Sequence, residues 1–208
     1  MTRNLILAGG GGHALSLGTL LEDAGFCILG YTDLRATTLR WKYLGTDDEI
    51  VAATLPENTQ VVVAVGTKTR IRGKIYNEYL SSPLQFLTFK HPQSYVSVSA
   101  KLEEGSVIYP NTFIGADVVL GQNVHLCAGA IVDHGTIIGA HSYVAPGAVI
   151  AGNVAVGTNC MLGINSTVME SIRLADYTQL GAASFLLRSV DTPSQIYAGV
   201  PAVCLKGQ

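Results

Sequence analysis

An unbroken six-residue period is the feature of this chain that most constrains its fold. From Val96 to Leu186 every sixth residue is Val, Ile or Leu, which makes sixteen consecutive hexapeptides without a gap or an insertion. A mostly small residue stands four positions after each, and glycine often follows the aliphatic residue directly. A coil of three short strands and three turns suits this pattern, because the aliphatic side chains fill a triangular prism while small residues and glycine fit its corners. Residues 96–191 are therefore predicted to form a parallel β-helix.

The register of the repeat places residues 18 apart directly above one another. His134 stands at an outward-facing turn position, with Ala116 one coil below it and Gly152 one coil above. Two small neighbours leave room for a ligand beside the imidazole. His134 is therefore a candidate catalytic residue, and a solvated turn histidine is the alternative.

Two further histidines of the repeat receive a structural interpretation. His141 shares its column with Asn123 and Asn159, which indicates a polar ladder. His125 stacks under Tyr143 in a bulkier column, which suits a subunit contact or the wall of a cofactor groove.

The chain before His91-Pro92 has a different character, since apolar runs alternate there with helical patterns. This alternation predicts βαβ units, and hence a small Rossmann-like α/β domain over residues 1–90, followed by a second domain over residues 91–208. The predicted strands are Asn4–Ala8, Phe26–Tyr31, Val61–Val65 and Leu84–Phe89, and the predicted helices are His13–Gly25, Asp47–Leu55 and Arg70–Leu80.

Three features at the ends of these strands indicate a nucleotide-type ligand. The run from Gly9 to Gly12 and His13 follows the first strand and opens the first helix, where backbone amides and the helix dipole favour a phosphate. Asp33 ends the second strand and offers an acceptor for a sugar or a base. Gly66 ends the third and permits a close approach. A tight turn is the alternative, because the spacing is not that of a dinucleotide fingerprint.

Composition excludes several classes of partner. The net charge of −2 and the 13% of charged residues do not favour nucleic acid or an anionic membrane. No apolar stretch reaches the roughly 18 residues of a membrane span, and the N-terminal apolar run is interpreted as a strand rather than a signal peptide. The four widely spaced cysteines match no metal-ligand spacing and are interpreted as reduced, mostly buried thiols of a cytoplasmic protein.

Several short motifs spread over nearly the whole chain occur together in one known family. They are Gly11-Gly12-His13, Tyr31-Thr32-Asp33, Ala64-Val65-Gly66, His91-Pro92, Ile131-Val132-Asp133-His134, Ala151-Gly152-Asn153, Leu162-Gly163-Ile164-Asn165-Ser166 and Tyr197-Ala198-Gly199-Val200-Pro201-Ala202. The chain thus resembles the sialic acid O-acetyltransferases and UDP-4-amino-sugar (bacillosamine-type) N-acetyltransferases, which are hexapeptide-repeat acyltransferases. The resemblance implies a left-handed β-helix, a hand that the period alone does not give. It also implies a homotrimer with active sites in the clefts between adjacent prisms.

The same resemblance implies the roles of individual residues. It makes acetyl-CoA the donor and His134 the general base, and it implies no metal. The nucleotide-sugar would be held by Gly11, Gly12, His13, Asp33 and Gly66. The acetyl-CoA cleft would be lined by Tyr143, Gly152, Ile164 and Ala182.

The chain departs from the family pattern beside the predicted base. Relatives carry an acidic residue after it, where this chain has Gly135, and often a histidine at the position of Tyr143, whose phenol can still donate to the acetyl carbonyl. A second Asp of the family is replaced by Leu34. Asp133 precedes His134, but adjacent strand residues point to opposite faces, so it is not expected to act as the partner. A histidine without a carboxylate partner favours an amine acceptor over a hydroxyl.

The sequence therefore predicts an acetyl-CoA-dependent N-acetyltransferase that acts on a nucleotide-linked 4-amino-4,6-dideoxy sugar by direct transfer, with a backbone amide near Gly152 stabilising the oxyanion. The nucleotide (UDP, dTDP or GDP) stays open. One alternative is a sugar O-acetyltransferase acting on sialic acid or another glycan precursor. Another is a zinc enzyme of the γ-class carbonic anhydrase type, but the spacing of His125, His134 and His141 does not match it. An uninterrupted prism has no loop for an acceptor, so acceptor binding is expected from the N-terminal domain and a neighbouring subunit.

Overall fold

The computed structural model describes residues 3–205, which divide into two compact units. The first unit ends at Leu87 and the second begins at Thr88. The last three residues of the predicted C-terminal tail lie outside the described range. Within that range, no helix has the length and apolar character needed to cross a membrane.

The first unit is a four-stranded, all-parallel sheet with three helices, and the strand order is β2-β1-β3-β4. Its strands are β1 (Asn4–Ala8), β2 (Cys27–Thr32), β3 (Gln60–Val63) and β4 (Gln85–Phe86), and its helices are α1 (Gly12–Asp23), α2 (Asp47–Val51) and α3 (Thr69–Tyr79). β1 lies in the middle of the sheet and is buried from Leu5 onwards, as expected for a central parallel strand. Helix α1 buries Ala14, Leu17, Gly18 and Leu21, which recur at the spacing of one helix face.

The predicted strand Leu84–Phe89 is wrong as a single element. Gln85–Phe86 pairs with β3 in the first unit, whereas Phe89–Lys90 pairs with Val107–Ile108 in the second. The apolar run is continuous in sequence because both pieces need buried side chains, but the pieces belong to two different sheets.

The second unit is a solenoid with three sheets, which we call faces I, II and III; all strand pairs in them are parallel except the last pair of face I. Face I contains β5 (Phe89–Lys90), β8 (Val107–Ile108), β11 (His125–Leu126), β14 (Tyr143–Val144), β17 (Met161–Leu162), β20 (Gln179–Leu180), β22 (Ile196–Ala198) and β23 (Val203–Leu205). Face II contains β6 (Tyr95–Val96), β9 (Phe113–Ile114), β12 (Ile131–Val132), β15 (Val149–Ile150), β18 (Thr167–Val168) and β21 (Phe185–Leu186). Face III contains β7 (Lys101–Leu102), β10 (Val119–Leu120), β13 (Ile137–Ile138), β16 (Ala155–Val156) and β19 (Arg173–Leu174).

The hexapeptide register explains this architecture. Each of the sixteen aliphatic residues is the second residue of its strand, and fourteen of them are buried; Val96 and Leu102, in the first coil, are half-buried. At the corners, the buried hydroxyl of Thr136 donates to the carbonyl of Ala151 and that of Ser142 to Gly157. Each coil is thereby tied to the next by side chains as well as by the strand ladders.

Glycine serves this solenoid in two distinct ways. A left-handed backbone recurs at every sixth residue from Gly105 to Ala183, and mostly glycine, asparagine or aspartate occupies it. The glycines that directly follow the aliphatic residues belong to a different series. A Cβ on Gly139 would lie 2.5 Å from the backbone of Gly157, so these glycines permit the close approach of successive coils rather than relieve a turn.

The C-terminal segment folds back on the solenoid. β22 pairs in parallel with β20 and in antiparallel with β23, and Phe185 donates its N–H to the carbonyl of Gly199. The tail after Asp191 therefore forms a hairpin at the end of face I.

Candidate functional site

His134 lies at the corner between faces II and III, which we call corner II/III. It follows the inward Val132 by two residues, and its side chain is 59% exposed. Its carbonyl accepts the N–H of Asn153 from the next coil, and the carbonyl of Ala116 accepts the N–H of Gly135 from below. The predicted column Ala116–His134–Gly152 is therefore present.

The imidazole of His134 lies over Gly152. A Cβ at position 152 would be 2.5 Å from Cε1 and 2.7 Å from Nε2 of that ring. The imidazole itself therefore occupies the space that the missing side chain of Gly152 leaves. The expected open slot for a ligand is not at that place. Gly152 sets the position of the ring by having no side chain.

Asp133 is the hydrogen-bond partner of His134, contrary to the expectation that it points to the opposite face. Its Oδ1 lies 3.1 Å from Nδ1 of His134 and also accepts the backbone N–H of that residue at 2.7 Å. Strand alternation does not apply, because β12 ends at Val132 and both residues belong to the corner. The backbone turns there, and neighbouring side chains can meet.

The electrostatics of the pair define the tautomer of the histidine. Hydrogen bonds from the backbone N–H and then from the ring of His134 hold the pKa of Asp133 below its usual value. An ionised carboxylate only accepts, so Nδ1 carries a hydrogen toward Asp133, and in the neutral form of the ring Nε2 is the nitrogen with the lone pair. His134 therefore has a carboxylate partner despite Gly135, and the expected preference for an amine over a hydroxyl, which depended on the lack of such a partner, is not supported.

Gly135 belongs to the left-handed series of corner residues. Its φ is 65°, and Asp117 occupies the equivalent position one coil below with a φ of 58°. An acidic residue therefore fits at this kind of position, but in this chain the carboxylate comes from the residue before the histidine.

The predicted acetyl-CoA positions fall into two groups. Gly152 lies against His134, whereas Ile164 and Ala182 stack at the corner between faces I and II, which we call corner I/II; the carbonyl of Ile164 accepts the N–H of Ala183 from the coil above. Tyr143 is buried on face I, in register with His125 and Met161. Face II separates the two corners, so one prism does not bring these groups together.

Face II carries an exposed apolar stripe. Its outward side chains include Tyr95, Phe113 and Ile131, which are 58%, 40% and 39% exposed, and the rings of Tyr95 and Phe113 stack with centroids 5.0 Å apart. Face III presents Lys101 and Arg173 at its two ends, with Ile137, which is 51% exposed, between them. The stripe lies between corner I/II and corner II/III, which hold the candidate residues.

In the first unit, the structure brings together most of the predicted nucleotide-binding residues. Gly11 caps helix α1 without a side-chain hydrogen bond among the described residues, and a Cβ on Gly11 or Gly12 would meet open space. Gly66 lies against His13, where a Cβ would be 3.3 Å from Cγ of the imidazole. The amino end of α1 thus offers backbone N–H groups to an open surface beside His13.

Asp33 holds the glycine-rich turn. Its carboxylate oxygens accept the N–H of Gly10 at 2.9 Å and that of Leu34 at 2.7 Å. Each oxygen keeps a further lone pair for a ligand. Its first role is therefore to join the end of β2 to the turn after β1.

His13 is neutral at physiological pH. Burial, and next the positive charge of Arg72, lower its pKa to about 3. Arg72 is completely buried and donates from its guanidinium to the carbonyl of Val65 at 2.6 Å. Sequence reasoning missed Arg72, because a charged residue is rarely buried; its place on the inner face of α3, beside Ile75 and Tyr76, was the available signal.

His125, His141 and the cysteines are not part of a metal site among the described residues. His125 is completely buried, and Nδ1 of His141 lies 3.2 Å from Nδ2 of Asn123, as the polar ladder predicts. Over residues 3–205 no group of three His, Cys, Asp or Glu side chains is arranged to hold a metal. All four cysteines are free thiols, but two of them, Cys27 and Cys204, are exposed, so the expectation of mostly buried thiols is half wrong.

Comparison with known protein families gives one match in each unit. Residues 4–79 match the PglD N-terminal domain family, and residues 117–152 match the bacterial transferase hexapeptide family. No curated protein sequence matched the chain.

Several solved structures share the whole architecture. The acetyltransferase domain of PglB from Neisseria gonorrhoeae is 26% identical with a TM-score of 0.87, and the match covers 98% of this chain and 100% of that one; that domain has also been solved with acetyl coenzyme A. A variant of perosamine N-acetyltransferase from Caulobacter crescentus, in complex with CoA and GDP-perosamine, is 26% identical with a TM-score of 0.91 over 99% of this chain and 97% of that one. The predicted fold, a small α/β domain followed by a left-handed β-helix, is confirmed.

Proposed function

We propose that this chain, an acetyltransferase of the left-handed β-helix family, transfers the acetyl group of acetyl-CoA to the amino group of a nucleotide-linked sugar. The observation that carries the proposal is the exposed His134, oriented by Asp133 and seated over Gly152. The similarity to a perosamine N-acetyltransferase and to the acetyltransferase domain of PglB supports the reaction type. The acceptor we propose is a UDP-4-amino-4,6-dideoxy sugar, and GDP and dTDP sugars are the competing acceptors to be measured.

The proposed chemistry uses the neutral form of His134, in which Nε2 carries the lone pair. The sugar amine attacks the thioester carbonyl carbon, and the N–C bond forms as a tetrahedral intermediate develops. Nε2 of His134 accepts the proton that the nitrogen loses. The C–S bond then breaks, and the imidazolium returns the proton to the departing CoA thiolate. No covalent enzyme intermediate is required.

Gly152 has a second role in this scheme. No hydrogen bond from its backbone N–H is found among the described residues, and the residue lies against the imidazole of His134. A backbone N–H beside the base suits the oxyanion that forms on the acetyl oxygen. The glycine would therefore position the ring and stabilise the intermediate.

The first unit would hold the nucleotide. The amino end of α1 offers N–H groups of Gly11, Gly12 and His13 to a diphosphate, and Gly66 lets the ligand approach the end of β3. Asp33 supplies a carboxylate for a sugar or base hydroxyl. We place the reaction in the cytoplasm, in keeping with four free cysteines.

A homotrimer would complete the acetyl-CoA site. If three prisms turn face II toward a common axis, corner II/III of one subunit meets corner I/II of the next. His134 would then face Ile164 and Ala182 of a neighbouring copy, with Tyr143 on the adjoining face I. The apolar stripe of face II supports this arrangement, because its exposed rings and Ile131 would become buried.

O-acetylation is the second candidate, and one observation favours it. The Asp133–His134 pair is the kind of base that a hydroxyl acceptor needs. Incubation with acetyl-CoA and, separately, UDP-4-amino-4,6-dideoxy-N-acetylglucosamine, GDP-perosamine and free sialic acid tests both functions. We expect thiol release with an amino sugar and an acetylated product that resists mild alkali, as an amide does. An alkali-labile product from sialic acid alone would establish the O-acetyltransferase instead.

A further inference from the structure

We infer that Arg188 binds the phosphate groups at the nucleotide end of CoA, an inference that rests on the proposed use of acetyl-CoA. The residue lies at corner II/III, exposed, at the far end of the column that contains His134. The contacts of Arg188 show no structural function for its charge. Its distance from His134 matches the length of the pantetheine arm of CoA.

The strand register of face II gives the order of the residues along this corner. Val132 pairs with Ile150, Ile150 with Val168, and Val168 with Leu186. The residue two positions after each of these lies at corner II/III, and the four residues are His134, Gly152, Glu170 and Arg188. The corner at Arg188 is shorter than the others, because Val190 already pairs with Leu174 on face III.

The spacing decides which part of the donor reaches Arg188. Three coils separate it from His134, and at about 4.8 Å per coil they span roughly 14 Å. Thirteen bonds join the sulfur of CoA to its first phosphorus. Three backbone bonds of an extended chain cover about 3.3–3.6 Å, so the pantetheine arm spans roughly 15 Å. With the thioester at His134, the diphosphate would lie beside Arg188.

The charges along the column indicate in which direction CoA extends from His134. Below His134 the corner presents Ala116 and Val98, which offer nothing to an anion. Above it Glu170 would face the middle of the arm, which is neutral and has amide N–H groups to donate. Only the upper end places a cation where phosphates require one.

Arg188 is also available to a ligand. No ion pair to it is found among residues 3–205, whereas the nearby Arg173 pairs with Asp191 at 3.5 Å. The opposite wall of the proposed cleft suits the arm, because one column of exposed or half-exposed residues at corner I/II is apolar. They are Pro110, Ala128, Pro146, Ile164 and Ala182.

The test compares truncated donors by titration calorimetry, which needs no acceptor. The ligands are CoA, dephospho-CoA and pantetheine, the last measured by displacement of CoA, and the variants are Arg188→Gln and the matched control Arg173→Gln. We expect Arg188→Gln to raise the Kd for CoA about tenfold, as the loss of one charge-assisted phosphate contact implies. The Kd for pantetheine should stay unchanged, and Arg173→Gln should bind all three ligands as the wild type does.

Dephospho-CoA identifies the phosphate. If the loss on Arg188→Gln persists with dephospho-CoA, the arginine binds the diphosphate, as the spacing along the corner predicts. If the loss disappears, the arginine binds the 3′-phosphate instead, which would overturn the placement of the diphosphate beside Arg188. An unchanged Kd for CoA in Arg188→Gln, or an equal loss for pantetheine, would overturn it. A wild-type protein that fails to bind CoA would instead overturn the proposed function, so the two failures can be told apart.

Discussion

Oδ1 of Asp133 lies 3.1 Å from Nδ1 of His134 and holds the ring in the tautomer that leaves Nε2 free to accept a proton. Replacing this carboxylate by the isosteric amide in Asp133→Asn removes the fixed acceptor. We expect kcat to fall roughly tenfold to a hundredfold, the size of effect that partners of functional histidines show, with little change in the KM for acetyl-CoA.

The control for this prediction is Asp117→Asn, which changes an exposed aspartate at the same corner one coil below. It should leave kcat unchanged. Nitrogen NMR of the His134 ring should show hydrogen on Nδ1 in the wild type and a mixture of tautomers in Asp133→Asn. Equal tautomer populations in both proteins would mean that Asp133 does not position the ring.

Gly152→Ala tests whether the position of the His134 ring over residue 152 matters for catalysis. The new Cβ would lie 2.5 Å from Cε1 of His134, so the exposed ring must swing away from the corner. We expect kcat to drop at least about tenfold, since small displacements of a catalytic group are costly. The melting temperature should hardly change, because Ala116 shows that alanine suits this corner position and the displaced ring can enter solvent. Full activity in Gly152→Ala would show that the ring works from another position.

The trimer prediction can be tested with two isoleucines of similar exposure. Ile131 on face II is 39% exposed and Ile137 on face III is 51% exposed. Ile131→Asp should dissociate the trimer in sedimentation experiments and abolish acetyl transfer, whereas Ile137→Asp should remain trimeric and active. A trimer that survives Ile131→Asp but not Ile137→Asp would place the interface on face III.

His13 should make the first unit sensitive to acid. Its pKa is lowered to about 3 in the folded chain, while the unfolded chain has the ordinary value of about 6.5. The unfolded state therefore binds more protons between these values, and this stabilisation is lost as the pH falls from about 6.5 toward 3. Unfolding followed by the fluorescence of Trp41, the single tryptophan, should depend less on pH in His13→Gln over this window. Parallel pH profiles for the two proteins would contradict the prediction.

The repeat was the most predictable part of the molecule. A strict period of six leaves one arrangement in which every aliphatic residue points inward, so the three faces and the column of His134 follow from counting. The hand of the helix does not follow from the period and came from the family resemblance. The α/β elements of the first unit were also predictable, with ends displaced by a few residues.

The sequence could not predict contacts between side chains at the corners of the solenoid, or the burial of residues by tertiary packing. The contact of Asp133 with His134 contradicts the alternation of strand side chains, because strands of two residues end before the rule can apply. The burial of Arg72 depends on where α3 rests, and the division of the run Leu84–Phe89 depends on which sheet each half joins. None of these is a property of local sequence.

The most direct test of the central claim is the rate of thiol release by His134→Ala with acetyl-CoA and UDP-4-amino-4,6-dideoxy-N-acetylglucosamine. A general base typically contributes about 10²–10⁴-fold, so we predict a loss of that size with CoA binding retained. If the variant keeps more than about a tenth of the wild-type rate, His134 is not the general base.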